Sequence, residues 1–427
     1  MLCAILFCER RKEGVCTLKI STRNIILSIL RGVCYNLALL CLSGTLIQNF
    51  LGEAGLDIGS DKIYIHTSLL QAANVGAILL FSRSADRGNV IRRLALIQIP
   101  IALLFGVYVP LCIWETTSLV AFAVAVGVGI VQSVGVALCT VCDYKIPYRL
   151  YSVEVYGTAT AASGIAIGLV SIGVGSLTTY LASVLDYRTM MLWCFLISAG
   201  LMGIAALCTA FFRTAPEAMG QVQEAKAKVP LSRLFKAPVF HEMIAPNLLR
   251  GLNTGVLVVL AVVAADLGFD AVTVTAMVPV GSAAMLLGCL FFGVFVKKFS
   301  AKWMILAGSL SMVALPFMFI PNGTLFLVLY FTVWFGKNLI DYGVPTALIY
   351  HVPDEIAGAY HAWRMILHTG GSFIASSLGA LLPTAVLIIA ALVLQVASGI
   401  WYFILFQKYE RRKKEARRWL EEGDSAL

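Results

Sequence analysis

The side chains best able to do chemistry in this sequence stand in apolar surroundings. Arg31, Arg250, Lys337, Arg364 and the acid Asp341 all lie inside long hydrophobic runs. Lys337 and Asp341 are four residues apart, so a helix would bring them within pairing reach on one face. Removing one member of such a buried pair would cost roughly 3–5 kcal/mol, and removing both should restore stability. His361, Arg364 and His368, at i, i+3 and i+7, would share a face of their own. Groups of this kind bind anions, carry protons or neutralise one another. An imidazole titrates near neutral pH, which makes His368 a candidate proton carrier beside Asp341. Tyr35, Asn36, Gln71, Asn74, Gln132, Asn253 and Asn338 are uncharged candidates. Each could hydrogen-bond a polar solute or a neighbouring helix. Cys139-x-x-Cys142 has redox-pair spacing, but no histidine is near it in sequence, and neither redox chemistry nor a metal is expected there. The sequence has no His-Glu-x-x-His, Gly-x-Ser-x-Gly or phosphate-loop pattern, so no catalytic residue and no cofactor is expected.

Composition says what must hold these groups. Of 427 residues, 59% are hydrophobic and 13% charged, against roughly 45–50% and about 25% in soluble domains. A soluble protein of this size could not bury that much apolar surface. Disorder, nucleic-acid modules and ordinary cytosolic enzymes are disfavoured. There are eleven cysteines, most of them within apolar runs, where cysteine acts as a small hydrophobe rather than part of a disulfide framework. Apolar runs lie near 25–50, 63–82, 94–114, 118–142, 156–181, 190–212, 243–265, 272–296, 303–320, 324–350, 358–382 and 384–406. Each approaches the ~20 residues that a helix needs to cross a bilayer core of about 30 Å. Backbone groups must be paired within the segment there, so these twelve runs are expected to be helices, numbered here as spans 1 to 12.

Charge predicts their direction. With the N-terminus inside, 26 of the 32 Lys and Arg residues fall in inner tails and loops, and only Lys62 and Arg188 fall outside. This is a strong positive-inside signal, and it explains the net charge of +9 without nucleic acid. Residues 1–8 (MLCAILFC) are apolar but too short to span and lack a basic leader, so no cleavable signal is expected, and a mis-assigned start codon is one reading. The basic tail from Lys408 is expected to be an amphipathic helix at the membrane surface, with lipid binding as a second reading.

The halves of the chain resemble each other. Leu30-Arg31-Gly32 and Leu249-Arg250-Gly251 stand early in spans 1 and 7. Tyr144-Lys145-Ile146-Pro147 and Tyr350-His351-Val352-Pro353 close spans 4 and 10. At the spacing of the second match, Gln132 pairs with Asn338, Gly164 with Gly370 and Gly173 with Gly379. Both halves start inside and hold six spans, which makes the repeat parallel. The expected organisation is a cytoplasmic tail over 1–23, bundles over 24–213 and 241–406, a linker over 214–240 and a basic tail over 407–427.

With these features the chain resembles the major facilitator superfamily over roughly 24–406. The loop between spans 2 and 3, Ser82-Arg83-Ser84-Ala85-Asp86-Arg87-Gly88-Asn89-Val90-Ile91-Arg92-Arg93, is similar to that family's Gly-x-x-x-Asp-Arg/Lys-x-Gly-x-Arg/Lys-Arg/Lys motif. The Asp-Arg core matches, while the glycines and the basic pair are displaced. The resemblance implies an all-α membrane protein of two pseudo-symmetric six-helix bundles, with a central cavity lined by spans 1, 4, 7 and 10. It implies a gating role for Asp86 and Arg87. By the same resemblance Arg31 and Arg250 could clamp an anion, as in some organic-phosphate transporters, although each could instead reach the headgroups. The solute-binding candidates are then Arg31, Tyr35, Asn36, Gln132, Arg250, Asn253, Lys337, Asn338 and Arg364. The expected function is secondary active transport of a small polar or anionic organic solute across the inner membrane of a bacterium, coupled to a proton or other cation. The protein is expected to be a lipid-embedded monomer with both termini cytoplasmic. Alternatives are a multidrug efflux antiporter and, more remotely, a non-transporting receptor or scaffold.

Overall fold

Apolar runs in which every backbone group must find a partner fold as helices. The computed structural model describes residues 20–42, 44–52, 54–81, 89–143, 146–151, 153–214, 235–236, 238–295, 298–349 and 354–424, and no strand occurs among them. Span 1 is Ile20–Leu40, interrupted by a turn and resumed as Gly44–Leu51. Spans 2 to 6 are Ser60–Phe81, Val90–Ile113, Ser118–Asp143, Val153–Val184 and Tyr187–Ala210. Span 7 is Pro238–Val258, which bends by 44° into Leu260–Asp266. Span 8 is Ala271–Phe295. Span 9 is Ala301–Leu310, continued by a 3₁₀ helix over Ser311–Phe319. Spans 10 to 12 are Gly323–Ile349, Asp354–Gly379 and Thr384–Asp424. Local chemistry sets several ends. The Asn89 side chain accepts from the Ile91 and Arg92 amides at the start of span 3, and Asp186 accepts from Arg188 and Thr189 at the start of span 6.

Among the described residues, ten helices are long and apolar enough to cross a membrane, and eleven are if the bent pair of span 7 counts as one. The remaining member of the twelve is span 11. It has 26 residues, but Asp354, Glu355, His361, Arg364 and His368 dilute its apolar character. The residues that make it a poor span by composition are also those that make it chemically interesting.

Packing repeats between the halves. In the first, span 1 packs on spans 5 and 6, span 3 on spans 4 and 6, and span 2 on span 4. In the second, span 7 packs on spans 11 and 12, span 9 on spans 10 and 12, and span 8 on span 10. Adding six to each first-half number gives its second-half counterpart. The main contacts between bundles, span 5 on span 8 and span 2 on span 11, obey the same rule.

This packing gives the Leu-Arg-Gly repeat a physical meaning. A Cβ on Gly32 would stand 2.9 Å from Ser163 Oγ of span 5, and one on Gly251 would run into the His368 carbonyl of span 11. Glycine at these places lets span 1 close on span 5 and span 7 on span 11, as small residues do between membrane helices.

The alternation of spans puts the start of span 1, the end of span 12 and the connection from span 6 to span 7 on one face, called here the terminal face. The opposite, far face is where hydrogen bonds cross between the bundles. The Gln48 amide donates to the Val258 carbonyl at 3.2 Å, and Asn49 donates to Ala271 O at 3.4 Å. Ser68 Oγ donates to Ser376 Oγ at 3.1 Å. Leu46 and Ile47 share a buried apolar cluster there with Val259, Val262 and Val278.

Candidate functional site

Asp341 sits on span 10, eight residues short of the helix end at Ile349. One turn before it, Lys337 directs Nζ to Asp341 Oδ2 at 2.6 Å. The other oxygen, Oδ1, accepts from Arg250 Nη2 of span 7. One carboxylate therefore holds two cations, and the bond to Arg250 ties span 10 to span 7, whose own close contacts are with spans 11 and 12. The side chains of Arg250 and Lys337 are 9% and 16% exposed and that of Asp341 is 28% exposed, so the acid is the most accessible of the three.

Neighbouring side chains fix this arrangement. The Trp334 ring, one turn further along span 10, lies 5.0 Å from Lys337 Nζ, a cation–π contact. Tyr330 and Phe326 continue the aromatic column toward the far face, with ring centroids 5.8 and 6.5 Å apart in sequence. Tyr402 of span 12 lies beside Arg250 and donates to Asn247 Oδ1 at 2.7 Å. On span 11, His368 Nε2 is 3.1 Å from Thr254 Oγ1 of span 7. Arg364, one turn before it, lines a small cavity with Asn247, Tyr360, Trp363 and Leu367. Arg250 and Lys337 thus share one acid, Asp341, in the second bundle.

The first bundle carries a balanced counterpart. Arg31 of span 1 donates to Asp143 Oδ2 at 2.8 Å, at the terminal end of span 4, and its guanidinium lies 5.2 Å from the Tyr35 ring. The repeat preserves the arginine and its bridge from the first helix of a bundle to the fourth. It does not preserve the height of the acid. Asp143 corresponds to Ile349, eight residues beyond Asp341, which is about 12 Å along a helix.

The uncharged candidates are scattered. Asn253 is buried and donates to the Ala391 carbonyl of span 12 at 3.0 Å. Asn338 donates to the Trp334 carbonyl at 2.7 Å and packs against Gly288 of span 8. Asn36 donates back to the Gly32 carbonyl at 2.8 Å and is exposed. Gln132 is buried inside the first bundle at 2% exposure. Gln71 and Asn74 are half-buried on span 2. The gating candidates Asp86 and Arg87, and the side chain of His361, lie outside the described residues. No group of three or more His, Cys, Asp and Glu among the described residues could hold a metal ion.

Sequence reasoning missed Asp143 as the partner of Arg31 and passed over Trp334, Thr254 and Tyr402. Only Trp334 had a local signal, standing three residues before Lys337 on the same helical face. It also missed His66, which is buried at 1% exposure on span 2 against Gly129 of span 4.

Comparison with known proteins defines the class. The family model of the Major Facilitator Superfamily matches residues 25–376, and the chain belongs to that family. It is a multi-pass membrane transporter. No curated protein matches its sequence significantly. Solved structures share the fold at low identity. The partially occluded inward-open xylose transporter XylE from E. coli matches with a TM-score of 0.66 and 12% identity, over 91% of this chain and 98% of that one. The nucleoside transporter NupG matches at 0.61 and 14%, over 92% and 100%. A bacterial homologue of the iron transporter ferroportin in an inward-facing state matches at 0.62 and 14%, over 91% and 98%.

Proposed function

We propose that this chain is a secondary active transporter for a small polar or anionic organic solute, working by alternating access and coupled to a proton or another ion. The observation that carries the reading is the excess of cations over acid around Asp341. A solute carboxylate or phosphate could take the place of Asp341 on Arg250 and Lys337, both already desolvated and aimed at one point. Asp341, once displaced, is the natural acceptor for a coupling proton, with His368 as a second carrier. Arg31, already balanced by Asp143, fits a structural bridge in the first bundle better than a solute contact. Xylose, nucleoside and iron transporters share the fold, which spans small polar cargoes but selects none. Two cations on one acid disfavour cationic drugs as cargo, so multidrug efflux is the weaker reading.

In this reading the terminal face is cytoplasmic, the membrane is a bacterial inner membrane, and Asp86 and Arg87 gate the cytoplasmic side. The bundles over 24–213 and 241–406 rock about the site, joined by the linker over 214–240.

The test is a thermal-shift and uptake screen on purified protein, with monocarboxylates, dicarboxylates, sugar phosphates, neutral sugars, nucleosides and hydrophobic cations. At least one anion or polar solute should stabilise the protein and enter proteoliposomes, and Arg250→Gln or Lys337→Gln should abolish both responses. Stabilisation and transport by hydrophobic cations alone would overturn the proposal.

A further inference from the structure

Span 12 continues beyond the other spans at the terminal face, as one helix over Thr384–Asp424. Val393, Ile400 and Ile404 are exposed along it and face the surrounding hydrocarbon. About one turn further on, Gln407, Lys408, Arg411 and Arg412 follow, and with Ile404 their side chains form a shallow, open groove along this one face of the helix. Ile404 and Arg412 are eight residues apart, about 12 Å of helix. That is enough to pass from the edge of the hydrocarbon through a headgroup layer of roughly 5–8 Å per leaflet.

The nearby acids are already engaged. Glu242 of span 7 accepts from Lys408 Nζ at 2.8 Å and from the Tyr409 hydroxyl. Glu410 accepts from Lys302 Nζ of span 9 at 2.5 Å. Among the side chains the structure describes, which on span 12 end at Arg412, neither Arg411 nor Arg412 makes an ion pair. The two exposed guanidiniums therefore stand directly beneath an apolar strip; Glu242 and Glu410 are each bonded to a lysine, and Arg412 also lies within electrostatic reach of Glu242. An isolated phosphate ion would match the guanidiniums and leave the apolar strip unused. A phospholipid matches both.

We infer that this groove is a binding site for an anionic phospholipid, its phosphate held by Arg411 and Arg412 and its acyl chains lying along Val393, Ile400 and Ile404. Guanidinium recognises a phosphodiester through paired N–H donors, and the Gln407 amide is placed to bond a headgroup hydroxyl.

The test is lipid binding by purified full-length protein in detergent, read by native mass spectrometry and by thermal shift. The added probes are phosphatidylglycerol, phosphatidylcholine and inorganic phosphate. Phosphatidylglycerol should bind and raise the melting temperature, and the other two should not. Arg411→Gln with Arg412→Gln should weaken phosphatidylglycerol binding about ten- to thirty-fold, while melting without lipid stays unchanged. Arg411→Lys with Arg412→Lys should fall between, keeping charge but losing the paired donors. A control that removes equal charge elsewhere on the terminal face, Arg92→Gln with Lys236→Gln, should bind as the parent does. Equal loss in the control would reduce the groove to general surface charge. Equal binding of inorganic phosphate would make it a free-anion site. Unchanged binding by the Arg411, Arg412 variant would remove the assignment altogether.

Discussion

A carboxylate that holds two cations cannot be deleted like one member of a simple pair. Asp341→Ala leaves Arg250 and Lys337 together without a counter-charge. It should be the most damaging single change in the cluster, lowering stability by roughly 3–5 kcal/mol before any relief from partial exposure. Lys337→Ala leaves the Arg250–Asp341 bond in place and should cost only about 1–2 kcal/mol. The spacing of Lys337 and Asp341 suggests that removing both restores stability, and the structure amends this. The double variant still strands Arg250, so recovery should need Arg250→Met as well, and transport should stay lost throughout. Thermal melting in detergent and uptake in proteoliposomes, scored across the full set of variants, check this. A double variant as stable as the parent would show that Arg250 is not a third partner. The Lys337–Asp341 contact was legible because it spans one helical turn. The bonds Arg31–Asp143 and Arg250–Asp341 join residues 112 and 91 positions apart, and one sequence holds no information about such distances.

Helix positions were more legible than helix shapes, because burial in lipid imposes length and apolarity but not straightness. The apolar run at 118–142 became Ser118–Asp143. The run at 384–406 became Thr384–Asp424, since Lys, Arg and Glu sustain a helix in water after the apolar stretch ends. The interruption of span 1 after Leu40 had no proline to announce it. The 3₁₀ half of span 9 had Pro316, a signal for a break but not for its form. The seam between spans 7 and 11 supplies the prediction at this scale. A side chain on Gly255 would meet the Ser372 carbonyl, and one on Gly371 would stand 2.7 Å from the Leu248 carbonyl. Backbone cannot withdraw as a side chain can. Gly251→Ala and Gly255→Ala should therefore each lower stability by about 1–3 kcal/mol. Gly164→Ala on span 5, with open space around it, should be neutral or stabilising by up to about 1 kcal/mol. Melting of the three variants decides. Equal effects at all three positions would mean that helix propensity, not close approach, dominates.

For the molecule as a whole, the proposed alternating access would require the far face to part. Ser68 and Ser376 sit on spans 2 and 11, and their hydroxyl oxygens are 3.1 Å apart. Ser68→Cys with Ser376→Cys should form a disulfide under mild oxidation, stop transport and release it on reduction. Full transport with the bond formed would mean that this contact persists through the cycle. Orientation is a separate expectation, and reporter fusions address it. One at Gly52, between spans 1 and 2, should read outside, and one at Leu427 should read inside. The bilateral match of packing contacts was visible in the sequence only as a few repeated tripeptides and single residues. The twofold relation is carried mainly by shape, which many sequences satisfy.

The glycine seam also constrains how the molecule can move. Spans 7 and 11 meet backbone to backbone at Gly251, Gly255 and Gly371, a close fit that resists sliding of one helix past the other. Arg250 and His368 are therefore mounted on one closely packed pair of helices. Span 10, which brings Lys337 and Asp341, packs on spans 8 and 9 and meets spans 7 and 11 both through the Arg250–Asp341 pair and through apolar contact, with Ile340, Val344 and Ala347 in one buried cluster with Val239, Phe240, Met243 and Tyr360. In the proposed cycle the ion pair would work as a clutch. Engaged, it would help span 10 follow spans 7 and 11; released by a solute or a proton, it would leave only the apolar contact, over which the two parts of the second bundle could turn. Occupancy of the site would thus alter the stiffness of its own bundle.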